Sequence, residues 1–220
     1  MKKYLRVCGV FLLAVLLAAF CAACGNEDTG LDLADLQTKQ YTNESNGATV
    51  TVPIDWEVAS EAENCTVFEN GDGTISFVLK WELGGMSYFS KEELAGLAAD
   101  VGKATLQDAE VYQSLELTKF DAAVKAVCTG TAENGVTAVC DTAIIQYFHD
   151  VRYYLTAVTD AGTYAEYEKV FTQIANSFTC ALTEDEVYEK MNEQTAAILE
   201  EEMQQEQNAE QNTEENSEQE

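Results

Sequence analysis

YTNESNGATVTVPIDW, residues 41–56, is the stretch that decides the fold. Ala48, Val50 and Val52 alternate with more polar residues, which is the period of a half-buried strand. The run then meets Pro53, the single proline of the chain, whose nitrogen cannot donate to a strand ladder. The sequence therefore predicts a domain that opens on a strand closed by Pro53.

A hairpin and a helix are predicted next. Residues 65–68 and 74–81 read as two strands around the turn Asn-Gly-Asp-Gly at 70–73. Ser90 and Glu93 form a capping box, which is typical of a helix start. The apolar residues of this first helix recur at helical spacing, and they are Leu94, Leu97, Ala98 and Val101.

The remainder of the domain predicts a strand meander and a closing helix. The strands fall near residues 111–117, 122–129, 136–148 and 153–158. A second capping box, Thr163 with Glu166, precedes a helix with one apolar face. That face consists of Tyr167, Val170, Phe171, Ile174 and Phe178.

A third capping box, Thr183 with Glu186, opens a very acidic helix with a narrow apolar stripe. Isolated helices this polar are marginal in water, so we expect the helix to form only against a partner. The stripe consists of Val187, Met191 and Ile198.

Two segments of this domain resemble a known family. Residues 41–56 and the closing VFTQIANSF at 170–178 are similar to the start and the end of PsbP-like or DcrB-like domains, and the order of elements between them agrees. The resemblance implies an α+β fold, an antiparallel sheet flanked by helices in an α-β-α sandwich. It also implies an accessory or envelope-associated role, with no shared catalytic site to carry over.

The N-terminus has the pattern of an export signal. Lys2, Lys3 and Arg6 precede an uncharged apolar run at 7–23, which is shorter than a membrane-spanning helix needs. The sequence FCAACG at 20–25 resembles the lipobox of bacterial lipoproteins, although Cys21 stands where that motif usually has Leu. The resemblance implies cleavage after residue 23, lipidation of Cys24 and attachment to the outer face of the bacterial cell membrane through its acyl chains.

Composition divides the remaining chain into four parts. After the signal peptide at 1–23 we expect a lipidated tether at 24–39, one α+β domain at 40–180, the acidic helix at 181–207 and a disordered Glu/Gln/Asn-rich tail at 208–220. The formal charge of −27 becomes more negative when the three cations of the signal are removed. Nucleic acid is therefore excluded as a partner, because binding a polyanion needs clustered Lys and Arg.

Four cysteines lie in the predicted domain, at spacings that favour disulfides or buried thiols over a metal site in an exported protein. A three-residue turn at 133–135 would place Cys128 directly opposite Cys140, whereas a two-residue turn would place them on opposite faces of the hairpin. We predict the pairs Cys128–Cys140 and Cys65–Cys180, and no metal or other cofactor.

No catalytic constellation is visible in the sequence. His149 is the single histidine, and no Gly-x-Ser-x-Gly turn presents a nucleophile. We therefore expect a non-enzymatic module that binds an envelope or surface protein. The first alternative is a module for a small molecule or lipid, held in a groove lined by Tyr147, Tyr153, Tyr154, Tyr164 and Tyr167. The second is a hydrolase, which would need His149 in a cleft beside a nucleophile.

Overall fold

The computed structural model describes residues 30–83, 88–148, 151–190, 192–193 and 196. The predictions made for the signal peptide, Cys24, His149 and the tail lie outside these residues. Within the described part of the chain, no helix has the length and apolar character needed to cross a bilayer.

Two antiparallel sheets carry the fold. The small sheet has the order β1-β2-β10, and the large sheet has the order β3-β4-β5-β9-β8-β7-β6. The strands are β1 Thr38–Thr42, β2 Ala48–Pro53, β3 Glu57–Ala62, β4 Cys65–Glu69, β5 Ile75–Leu83, β6 Gln107–Glu116, β7 Ala123–Thr131, β8 Thr137–Tyr147, β9 Val151–Asp160 and β10 Thr179–Cys180.

Helices cover both faces of the large sheet. Helix α1, Lys91–Thr105, packs on one face, where Leu94 and Ala98 contact Val124 and Ile144. Helix α2, Ala161–Ser177, packs on the other face, which it shares with the small sheet and the main core. The predicted α+β sandwich is therefore confirmed.

The two ends of the domain are joined at β2. Ala48, Val50 and Val52 are fully buried, and the strand ends at Pro53 as predicted. The backbone N–H of Thr51 donates to Oγ of Ser177 over 2.8 Å, which ties this strand to the end of α2. The opening and closing sequence motifs thus meet in one structural unit.

The domain begins earlier than position 40, so the predicted tether is too long. The N–H of Leu31 donates to the carbonyl of Glu166, and Leu33 is buried in the core. Asp32 lies 2.8 Å from Nζ of Lys169 on α2. Residues 31–39 are therefore part of the fold. Leu31 and Leu33 attach this otherwise polar segment to the domain.

Helix α2 begins before the predicted cap at Thr163. Oδ1 of Asp160 accepts the N–H groups of Gly162 and Thr163, so Asp160 is the N-cap. The hydroxyl of Thr163 itself donates to Asp160. The helix starts directly from the end of β9, which leaves no residues for a loop.

The acidic helix starts on the domain itself. Residues 184–190 are helical, and Thr183 and Glu186 form the predicted capping box. Val187 is only 1% exposed and belongs to the main core. The expectation that this helix needs a partner is therefore wrong for its first two turns, which we call α3.

Candidate functional site

The five tyrosines of the predicted groove do not line one groove. Tyr153 and Tyr154 are neighbours on β9, so their side chains lie on opposite faces of the sheet. The hydroxyl of Tyr153 donates to the carbonyl of Asn46 over 2.8 Å inside the main core. On the α1 face, the hydroxyl of Tyr154 donates to Glu82, 2.7 Å away.

Tyr164 and Tyr167 serve the packing of α2. The Tyr164 hydroxyl donates to Oδ2 of the buried Asp141 over 3.1 Å, and burial raises the pKa of Tyr164. Tyr167 is half-buried and stacks on Phe171, with ring centroids 6.1 Å apart. The prediction of a shared aromatic groove is therefore wrong, because alternation along β9 and the helical period of α2 separate its members.

Of the five tyrosines, Tyr147 lines a cleft at the end of β8 that has a volume of about 310 Å³. Phe148 beside it has φ of 54°, a left-handed conformation that strains a bulky residue by roughly 1–3 kcal/mol. The rings of Tyr147 and Phe148 meet edge to face, 4.4 Å between centroids. The other lining residues are Lys119, Phe120, Asp121, Ile145 and Gln146.

All four cysteines of the domain are free thiols. Cys128 and Cys140 are directly opposite each other on β7 and β8, because the turn has the three residues 133–135. The predicted disulfide between them is nevertheless absent. Both side chains are buried under α1, where Sγ of Cys128 contacts the carbonyl of Ala99. Burial raises the pKa of Cys140 to about 11.

The predicted Cys65–Cys180 pair is contradicted by the strand register. Cys65 is opposite Lys80, which is opposite Tyr154, so Cys65 lies on the α1 face of the large sheet. Sγ of Cys180 lies 3.2 Å from the hydroxyl of Tyr153, on the other face. The sheet therefore separates the two thiols.

Among the described residues, exposed large apolar side chains are most concentrated on β6, an edge strand of the large sheet, where they lie on both faces. Val111, Tyr112 and Leu115 are 48%, 60% and 43% exposed. An edge strand has one side of its backbone without a strand partner, and it is a template for adding another chain. We call this surface, formed by β6 and its side chains, the β6 edge.

Two bulges limit the length over which β6 pairs regularly with β7. The register with β7 shifts between Gln107 and Glu110 and again between Val111 and Gln113. From Gln113 to Glu116 the pairing with β7 is continuous. Such bulges limit unspecific edge pairing, so only the last four residues offer a regular strand to a partner.

The opposite edge of the sheet, β3, differs in composition. All six of its residues are exposed, but Val58 is its one large apolar side chain and is 42% exposed. Glu57 and Glu61 give it the same negative sign as Asp108, Glu110 and Glu116 on β6. The two edges are thus alike in charge and different in apolar content.

The basic side chains of residues 30–83, 88–148 and 151–189 are engaged within the domain. Lys91, for example, lies 2.6 Å from Glu116, and Lys119 donates to the carbonyls of Asn176 and Phe178 at the end of α2. Neither edge strand contains a basic residue. The full set is Lys39, Lys80, Lys91, Lys103, Lys119, Lys125, Arg152 and Lys169.

These features define an α+β sandwich with an acidic, partly apolar sheet edge, and solved structures share its architecture. The chain is similar to the Ran-binding protein Mog1p of Saccharomyces cerevisiae, with 12% identity over 66% of this chain and 96% of that one, and a TM-score of 0.52. A mutant structure of Mog1 gives 13% identity, coverage of 67% and 98%, and a TM-score of 0.53. The PsbP protein of the cyanobacterium Synechocystis is 11% identical over 71% of this chain and 97% of that one, with a TM-score of 0.46.

The similarity to the two Mog1 structures, at this level of identity, shows the fold alone. No protein family model matches the chain. A search of curated proteins also found no match.

Proposed function

We propose that this chain is a lipid-anchored protein of the bacterial cell envelope whose domain binds another protein and has no catalytic activity of its own. The observation that carries the proposal is the β6 edge, where unpaired strand backbone and exposed apolar side chains coincide. Exposed apolar surface of this kind marks interaction sites. The sequence adds the anchor, through the lipobox-like residues before Cys24.

The anchor is tested by replacing Cys24 with Ser in the producing cell. We expect Cys24→Ser to abolish labelling by a fatty-acid probe and to release the protein from the membrane fraction. Cys21→Ser is the matched control and should keep both properties. Full acyl labelling of Cys24→Ser would contradict the proposed anchor.

The interaction surface is tested by a photo-crosslinking amino acid placed at Tyr112 or at Leu115 in living cells. We expect a discrete crosslinked product with another protein at both positions. The same amino acid at Val58, which is on the opposite edge and as exposed as Leu115, should give no such product. Equal crosslinking at Val58 and Leu115 would mean that the β6 edge is not the interface.

The cleft beside Tyr147 favours a second candidate function, the binding of a small molecule. Its specific observation is the strained backbone of Phe148, because such strain clusters at ligand sites. A compound that binds there raises the unfolding temperature by mass action. A library of envelope lipids and metabolites is screened at concentrations up to 1 mM, because a dissociation constant of about 1 mM is the weakest of interest. If no compound raises the unfolding temperature, this function is excluded.

A further inference from the structure

We infer that the partner presents an extended segment with alternating apolar and basic side chains, which joins the β6 edge as an additional strand of the large sheet. This inference rests on the proposed function and specifies its partner. It is carried by the geometry of Gln113–Glu116, by the faces on which their side chains lie and by the distribution of charge.

The backbone of the regular stretch is suited to strand addition. Gln113 to Glu116 pair with Val127 to Val124 on one side, and β6 is the last strand in the sheet order. A segment placed about 4.8 Å away on the other side finds backbone N–H and C=O groups at strand spacing. Main-chain pairing of this kind supplies affinity, and the side chains supply specificity.

Within the regular stretch of β6, Leu115 and Glu116 lie on opposite faces of the sheet. Leu115 is opposite Lys125, whose Nζ reaches Thr172 of α2, so Leu115 lies on the α2 face. Glu116 contacts Lys91 of α1, so it lies on the α1 face. A segment paired with this stretch therefore meets an apolar side chain on one face. On the other face it meets the carboxylate of Glu116, which is bonded to Lys91 but keeps a side chain that is 63% exposed, and this arrangement favours the period-two alternation of apolar and basic residues.

The acidic residues of β6 determine the charge expected of the partner segment. Strand β6 contains Asp108, Glu110 and Glu116 and no basic residue of its own; Glu116 is paired with Lys91 of α1, and the chain has a formal charge of −27. A positive segment is attracted by this field, whereas a second copy of the chain is repelled. The bulge at Val111–Gln113 ends the regular pairing, and it leaves Tyr112 as an aromatic contact at the end of the added strand.

The inference is tested on the full-length chain purified in detergent, with fluorescent eight-residue peptides as probes. We expect a peptide of alternating Lys and Val to bind more tightly, by about tenfold or more, than a peptide with the same residues in two blocks. A peptide of alternating Glu and Val should not bind. Equal binding of the alternating and the block Lys/Val peptides would indicate electrostatic attraction alone and would overturn strand addition.

Matched variants locate the bound peptide. Leu115→Ser should weaken binding of the alternating Lys/Val peptide by about tenfold, and Val58→Ser on β3 should leave it unchanged. Glu110→Lys should slow association and reduce its salt dependence more than Glu57→Lys does. Equal losses in the β3 and β6 variants would overturn the assignment, and thermal melts of each variant confirm that the fold is retained.

The inference and the proposed function fail in different ways. Crosslinking at Tyr112 in cells together with no preference among the peptides would overturn the extended basic segment and leave the interface standing. Peptide selectivity without any crosslink in cells would instead overturn the proposed function.

Discussion

Nζ of Lys125 on β7 lies 2.7 Å from Oδ2 of Asp141 on β8, and their side chains are 1% and 3% exposed. The ammonium also donates to Thr172 of α2, and Asp141 accepts from Tyr164 of the same helix. This ion pair therefore connects strands β7 and β8 of the large sheet to the helix that covers them. Both charged groups are buried and bonded within the domain, so the pair is part of the scaffold, although Lys125 is the cross-strand neighbour of the exposed Leu115.

Lys125→Met should lower the free energy of unfolding by about 3–5 kcal/mol, because it leaves the carboxylate of Asp141 buried without a counter-charge. The double variant Lys125→Met/Asp141→Leu should recover most of that loss, since it removes both charges. Urea unfolding measures both changes.

An exposed ion pair is the control for that prediction. Lys103 and Asp100 are 3.0 Å apart with side chains 56% and 68% exposed, and such pairs contribute about 0–1 kcal/mol. Lys103→Met should therefore change stability little. If it costs as much as Lys125→Met, burial is not what makes the Lys125–Asp141 pair important.

Asp32 should make stability depend on pH in acid. Lys169 and the N–H of Ala34 hold the pKa of Asp32 near 2, down from its ordinary value of 3.8. Because the folded-state pKa is depressed, this contribution is present above the unfolded pKa and is lost as the pH falls through about 2. Asp32→Asn should therefore lower the urea midpoint at pH ~6 and leave it unchanged below pH ~2.

Asp35→Asn is the matched control, three residues along in the same turn and exposed. It should leave the urea midpoint near that of the parent at both values of pH. A loss in Asp32→Asn that stays constant down to the lowest pH would assign the effect of Asp32 to packing.

Gly102 should not tolerate a larger residue, although alanine is the better helix former. A Cβ built at Gly102 overlaps Sγ and Cβ of Cys128, so Gly102→Ala should destabilise the fold by about 1–3 kcal/mol. Adding Cys128→Ala should restore much of that loss because the sulfur is removed. Gly96 on the same helix has open space around it, and Gly96→Ala should stabilise by up to ~1 kcal/mol. If the changes in unfolding free energy of Gly102→Ala and Cys128→Ala simply add in the double variant, the two residues are not in contact.

Val187→Asp should detach α3 without unfolding the domain, since it forces a charge into the apolar contact that holds the helix. Limited proteolysis after residue 182 should become faster, while the unfolding of the sheet core stays cooperative. Glu189→Ala, on an exposed position of the same helix, should not change the cleavage rate. Unchanged cleavage in Val187→Asp would mean that α3 is held by other contacts.

Local signals along the chain were sufficient for much of the fold. Pro53 ended β2, the turn at 70–73 joined β4 to β5, and Ser90 with Glu93 started α1. Each signal acts within a few residues, through a missing N–H, a permitted backbone conformation or a capping hydrogen bond. The wholly exposed β3 was missed because it has no apolar period to detect.

The sequence by itself determined the acidic charge of this protein, its absence of a nucleophile motif and most of the succession of strands and helices. Only the tertiary structure decided which residues meet. It separated Tyr153 from Tyr154 and Cys65 from Cys180, because alternation and register assign each side chain to a face of the sheet. It also made β6 an edge, because strand order depends on pairings between residues far apart in the chain, which no local pattern specifies.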